Sequence, residues 1–164
     1  ILEGGAKTKE FLELNPQGQV PTIKLEDGRT ISQSNAIVRY LARDSKLLPA
    51  DAYQQAKIDE WLFLEHYSHE PYVAVCLFQM HYLKKPASER EAWRVERAEA
   101  ALDSLEQALG QTDYLVGDSL SIADISLLAY TRLCHEGGFT LESRPAVAAW
   151  TSRCEQELSI ETAG

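Results

Sequence analysis

The apolar positions of this chain change their period near residue 50. Between Thr22 and Ile31 they alternate, with Ile23 and Leu25 before Asp27-Gly28 and Ile31 after it. Alternation interrupted by Asp-Gly predicts a β-hairpin over residues 22–32, with positive φ expected at both central turn positions. From Asn35 to Arg43 the residues Ile37, Val38 and Leu41 share a helical face, and Ser34 ahead of them reads as the N-cap. Residues 4–14 carry Phe11, Leu12 and Leu14, enough for a turn or two of amphipathic helix before Asn15-Pro16. A hairpin running straight into a helix N-terminus gathers backbone donors at one place, where an anion can be held.

Beyond residue 51 helical spacing takes over. Ile58, Trp61, Leu62, Leu64, Val73, Leu77 and Met80 predict one long helix from Ala52 to Leu83, bent at Pro71. A second is predicted from Ser88 to Leu109, with Trp93, Val95, Ala98, Ala101, Leu102, Leu105 and Leu109 as its apolar stripe, Ser88 and Glu91 as a capping box and Gly110 as its stop. Ser121 and Asp124 form another capping-box pair, flanked by Leu120 and Ile125 at the hydrophobic-staple positions. The helix that follows, Ile122 to about Cys134, is apolar nearly all round and is expected at the centre of a helical domain, ending at Gly137-Gly138. A last helix begins near Ser143 and Pro145, with Ala146, Val147, Ala149, Trp150 and Cys154 inward, and residues 161–164 are expected to fray. The layout is a small mixed α/β piece at residues 1–44, a linker at 45–51 containing Pro49, and an all-helical domain at 52–164.

Charge narrows the partners. With 16 basic and 25 acidic residues among 164, the net charge of -9 disfavours nonspecific binding to nucleic acid or anionic membrane. An anionic ligand must therefore meet a local positive site. No apolar run of about 18 residues and no signal-peptide pattern is present, so a cytoplasmic location is expected. Cys76, Cys134 and Cys154, an odd count without CxxC spacing, are expected as buried free thiols. The chain begins at Ile1, and Ile1–Gly5 reads as the end of a strand entering a loop in an N-terminally truncated chain.

Glu65, His66, His69 and Glu70 place histidines and carboxylates at helical spacing but lack the HExxH order, so no metal site is expected. With Tyr67 and Tyr72 they are expected to line a cleft or a subunit interface. His81 and His135 read as ordinary helix residues. Asp124 reads as a structural cap, worth about 1 kcal/mol.

Three segments, NPQGQVPTI (Asn15–Ile23), ISQSNAIVRYL (Ile31–Leu41) and GDSLSIADISL (Gly117–Leu127), stand in one order along the chain. Together they resemble the cytosolic glutathione transferases, over essentially all 164 residues, without that family's first strand, first helix and most of its second strand. The resemblance implies a partial thioredoxin-like N-terminal domain (α/β) followed by an all-α C-terminal domain. It implies a cis bond between Val20 and Pro21, with the Val20 backbone pairing with the cysteinyl unit of glutathione as a short added strand. It implies that Gln33 and Ser34 hold the γ-glutamyl end, that Gln19 makes a further contact, and that Lys7 meets the glycyl carboxylate. Related sequences often carry His one position before that lysine, where this chain has Ala6. Glutathione is then a co-substrate, with no separate cofactor, and a small electrophile is its acceptor in a detoxifying homodimer. The family's acceptor site lies between the small domain and the first long helix. Because the thiolate is the nucleophile, the family lowers the thiol pKa with a Ser, Tyr or Cys near its N-terminus. No catalytic residue is assigned here, and the chain as given is expected to conjugate poorly. Other readings are a glutathione-dependent isomerase, dehalogenase or disulfide reductase, or a binding or scaffold module without turnover.

Overall fold

The computed structural model describes residues 4–163, so the strand end expected at Ile1–Glu3 and the final residue Gly164 lie outside it. The chain divides into two units between Leu48 and Pro49.

In the first unit a 3₁₀ turn (Gly5–Lys7) leads into helix α1 (Lys9–Leu14), which Thr8 caps by accepting from the Phe11 N–H at 3.3 Å. Strands β1 (Thr22–Lys24) and β2 (Thr30–Ser32) pair antiparallel in the register Thr22↔Ser32, Ile23↔Ile31, Lys24↔Thr30. Their connection differs from the two-residue turn that Asp-Gly suggests. Only Gly28, at φ 89°, is left-handed, and its N–H donates to the Leu25 carbonyl at 2.9 Å while the Leu25 N–H donates to Arg29 O at 2.8 Å. This is a three-residue loop closed by a left-handed glycine. Asp27 keeps to the right-handed side because its carboxylate accepts from the Arg29 N–H at 3.0 Å and from Arg29 Nε at 2.8 Å.

Helix α2 (Ser34–Leu41) starts one residue earlier than its pattern suggests. Gln33, not Ser34, is the residue before the helix, and its carbonyl accepts from the Ile37 N–H at 3.0 Å. The reversal from β2 is taken up in Gln33 alone, at φ 74° and ψ 121°, so Ser34 is already helical. Ile37 is buried, whereas Leu41 is exposed.

The second unit opens with α3 (Ala52–Leu64), capped by the Asp51 carboxylate, which accepts from the Gln54 N–H at 2.9 Å. The expected long helix runs unbroken to Tyr82 but is not α-helical throughout: it is π-helical from Glu65 to Ala74, makes one α turn, α4 (Val75–Leu77), and is π-helical again from Phe78 to Tyr82. Pro71 lies in the first wide stretch. Its missing N–H and its ring, which would strike the carbonyl one α turn back, are accommodated by the looser spacing.

Helix α5 (Ala92–Leu109) begins at Ala92 rather than Ser88, which lies in a 3₁₀ turn (Ala87–Glu89), and Glu91 precedes the helix without a side-chain cap. The expected Ser88/Glu91 capping box does not form because Arg90 is extended there. Its Nη1 donates to Gly137 O at 2.9 Å and Gly138 O at 3.2 Å, and its guanidinium lies over the Phe139 ring. Ala98, Ala101, Leu102, Leu105 and Leu109 are buried as expected, but Trp93 is exposed, set edge-on to Tyr72 and against the Arg94 guanidinium.

Helix α6 (Ile122–Thr131) carries the expected capping box and is followed by a 3₁₀ turn (Cys134–Gly137) that ends at left-handed Gly138. Helix α7 (Pro145–Leu158) has Pro145 in its first turn. The Glu106 carboxylate from α5 accepts from the Ala146 and Val147 N–H groups at 3.1 and 2.9 Å, a negative group where the helix dipole favours one. Val147, Trp150, Thr151 and Cys154 are buried, while Ala149, expected inward, is on the opposite face and exposed. Ile58, Leu102, Leu105, Ile122, Leu127, Val147 and Trp150 form the core. All three cysteines are buried free thiols. After α7, residues 160–163 have no regular secondary structure; Glu155 accepts from the Ala163 N–H at 3.2 Å, and Arg132 donates to the Glu161 carbonyl.

Candidate functional site

The loop before β1 is built around Asn15, which is 5% exposed. Its side-chain amide donates to Gln19 O at 2.8 Å and Thr22 Oγ1 at 3.1 Å, and its Oδ1 accepts from the Gln17 N–H at 3.1 Å. One side chain thus reproduces three contacts that a strand partner would supply, and it fixes the path of residues 15–22 without a neighbouring strand. The Val20–Pro21 bond is cis. Gln19, Val20 and Pro21 are exposed, and among the described residues no backbone group pairs with the Val20 N–H or C=O.

Gly18, at φ 62°, closes the loop against Lys7, whose ammonium donates to Gly18 O at 3.0 Å and Gln17 O at 3.3 Å. Lys7 is exposed and keeps ammonium donor capacity beyond those two carbonyls.

The register of the ladder brings the second half of the site alongside. Thr22 lies opposite Ser32, and their hydroxyls are 3.1 Å apart. Residues 20–21 and residues 33–34 therefore leave the same end of the β1–β2 ladder. Gln33 holds a positive φ that costs a non-glycine residue of the order of 1–3 kcal/mol. Ser34 then offers its hydroxyl and N–H at the positive end of α2, and both Gln33 and Ser34 are exposed.

The structure brings Gln19, Val20, Pro21, Gln33 and Ser34 to one end of the ladder, with Lys7 behind the loop. Asn15, Thr22 and Ser32 were not singled out as functional by their sequence pattern. The signal available was that Asn15 and Thr22, two polar residues, bracket the Val20-Pro21 turn in sequence.

The EHYSHEP stretch separates into two kinds of residue. His69 is not at a surface: it is wholly buried, and burial pushes its imidazole down from 6.5 to about 4. His66 and Tyr67 are exposed, whereas Glu65 is buried. Among the described residues no group of three His, Cys, Asp or Glu side chains is placed to hold a metal ion, and no helix is long and apolar enough to cross a membrane.

Comparison with known proteins gives a consistent set. Residues 1–44 match the family model described as glutathione S-transferase, N-terminal domain, and residues 66–157 the model for glutathione S-transferase, C-terminal domain. Glutathione S-transferase theta-1 of Rattus norvegicus is 33% identical over 171 aligned positions, which cover 94% of this chain and 69% of the rat protein. The crystal structure of a glutathione S-transferase from Pseudomonas fluorescens superposes with a TM-score of 0.89 at 43% identity, covering 94% of this chain and 78% of that one. That of a glutathione S-transferase from Xanthobacter autotrophicus superposes with a TM-score of 0.91 at 39% identity, covering 97% and 78%.

Proposed function

The chain belongs to the glutathione S-transferase family, and on that premise we propose that it binds glutathione at the open end of the β1–β2 ladder and transfers the thiolate to small electrophiles. The observation that carries the reading is the pairing of Thr22 with Ser32, which sets the Val20 backbone, unpaired among the described residues, beside the start of α2. A tripeptide laid along Val20 gains strand-like hydrogen bonds through its cysteinyl unit. Its γ-glutamyl carboxylate then meets the Ser34 hydroxyl and N–H, and the Gln33 amide donates and accepts with the amino-acid head. Gln19 and Pro21 shape the same turn. Lys7 supplies the local positive charge that an acidic protein needs to attract the glycyl carboxylate. These residues bind and orient the carrier of the thiol, and none of them is given the role of activating it.

The same proposal extends to a cytosolic homodimer. An open groove of about 330 Å³ runs between the first π-helical stretch and α5, lined by Leu64, Tyr67, Tyr72 and Arg97, and Tyr67 is 79% exposed at its edge. Burying such aromatics against a second copy is favourable.

Isothermal titration calorimetry with glutathione tests the reading, alongside turnover of a generic aryl halide. Saturable binding is expected, weakened about tenfold in Ser34→Ala, since a hydrogen bond to a charged group is lost. A folded protein that gives no binding heat overturns it.

A further inference from the structure

Asp27–Gly28 is the only Asp-Gly pair in the chain, and it lies in the loop that closes the β1–β2 ladder. Aspartate followed by glycine carries a latent backbone reaction. The Gly28 nitrogen attacks Asp27 Cγ, an N–C bond forms, and one carboxyl oxygen leaves as water, taking up the amide proton, to close a five-membered succinimide. Water then adds to either ring carbonyl. Opening at the α-carbonyl leaves the chain running through the side-chain carbons, an isoaspartate. One water is lost and one regained, so the sum is an isomerisation. Glycine hinders the ring closure least, because it has no Cβ. Nothing around this loop shields the bond: a Cβ placed on Gly28 would meet no atom within 4 Å. The restraint on the reacting groups comes from Arg29. Its N–H donates to Asp27 Oδ1 at 3.0 Å, and its guanidinium binds Oδ2, at 2.8 Å from Nε and 2.6 Å from Nη2, so both carboxylate oxygens are engaged. The Gly28 N–H is committed to the Leu25 carbonyl at 2.9 Å. The Arg29 contacts also hold the Asp27 carboxyl below its ordinary value of 3.8, which disfavours the protonated form whose oxygen departs as water.

We propose that Asp27 is a site of spontaneous isoaspartate formation, restrained in the folded protein by the Arg29 clamp on its carboxylate. Isomerisation adds a backbone carbon between Leu25 and Arg29, whose N–H to carbonyl bond of 2.8 Å closes the loop next to the pair Lys24↔Thr30. The modification therefore acts on the closed end of the ladder, and the proposal does not depend on the glutathione reading.

The test ages wild type and Arg29→Ala side by side, folded in buffer and unfolded in urea, and quantifies isoaspartate at residue 27 by mass spectrometry with electron-transfer fragmentation. The Arg29 side chain is 77% exposed, so its removal leaves the core intact. Folded Arg29→Ala is expected to accumulate isoaspartate about threefold faster than folded wild type, the scale set by an exposed ion pair. The two unfolded chains are expected to react at equal rates. Equal rates in the two folded proteins overturn the proposal. A difference of the same size in urea also overturns it, because the effect would then belong to the neighbouring residue in any chain and not to the folded clamp.

Discussion

The indole N–H of Trp150 donates to Asp124 Oδ1 at 2.9 Å, with both side chains wholly buried. The same oxygen accepts from the Leu115 N–H at 2.9 Å, and Oδ2 accepts from the Ser121 N–H at 2.9 Å and the Ser121 hydroxyl at 2.8 Å. Asp124 is therefore more than the cap of its own helix. It joins the loop before α6, the start of α6 and the middle of α7 through four donors, which is how a carboxylate can sit in the core without a cationic partner.

Removing that carboxylate leaves four buried donors unpaired. Asp124→Ala is expected to destabilise the helical unit by about 3 kcal/mol or more, well beyond the roughly 1 kcal/mol of a cap alone. Trp150→Phe, which removes one of the four, should cost a fraction of that. Urea unfolding of both variants gives the values. A loss for Asp124→Ala within about 1 kcal/mol would show that the cap accounts for everything.

His69 makes stability depend on pH. Its Nε2 is 3.0 Å from Thr131 Oγ1, and that hydroxyl gives its only proton to Leu127 O at 2.7 Å. Nε2 must then donate, so the ring is the neutral Nε2–H tautomer, and Nδ1 carries no proton and has no partner among the described residues. Protonation would place a charge on Nδ1 inside the core, which is why the folded-state value falls from 6.5 to about 4. Between those values the unfolded chain binds more protons than the folded one. The contribution is therefore whole above pH 6.5 and is lost as pH falls toward 4, by up to about 3 kcal/mol. Denaturant unfolding across that range should show the slope, and His69→Met should flatten it.

What could be read from the residues and what could not divides along the range of the forces involved. The Ser121–Asp124 box was legible because its members are three residues apart and their bonds are local. The cis bond before Pro21 was legible only through resemblance, since Val-Pro in isolation favours trans. The Ser88 box failed because a distant pair of carbonyls, at Gly137 and Gly138, holds Arg90 extended. The π-helical course through Pro71 was missed because an internal proline in a helical pattern reads as a bent α-helix, whereas here the wider i→i+5 spacing carries the helix past it. At the site, Ser34 was legible as a residue at a helix start but not as its first helical member, because the strain is concentrated in the backbone of Gln33. Asn15 carried no periodic signal at all, and its role emerges only when Gln17, Gln19 and Thr22 fold back on it.

Gly18 admits no side chain. A Cβ there would lie 2.6 Å from Lys7 Nζ and 2.9 Å from the Ala6 carbonyl, and φ is 62°. The lysine end can swing away, but the backbone oxygen cannot. Gly18→Ala is expected to lower the stability of the first unit by about 2 kcal/mol and to weaken glutathione binding by displacing the loop that presents Val20. A thermal melt with calorimetry reads both. Unchanged values would mean that the loop adapts without cost.

Asn15 supplies the sharpest separation between holding the loop and touching the ligand. It is buried and its three bonds all go to residues 17–22, so in the proposed function it would act on glutathione only through the turn it positions. Asn15→Asp keeps the size and the Gln17 contact but replaces a donor with an oxygen facing Gln19 O, which repels it. Asn15→Ala removes both. Each is expected to cost about 1–3 kcal/mol of stability, with Asn15→Asp the worse of the two at neutral pH. Protonating the introduced carboxylate restores a donor at that place, so part of the glutathione affinity lost by Asn15→Asp should return as pH is lowered toward about 4, while Asn15→Ala shows no such recovery. Calorimetric titrations at two pH values, each checked for intact fold by circular dichroism, compare the variants. Parallel pH profiles for the two variants would mean that the amide donor does not set the position of Val20.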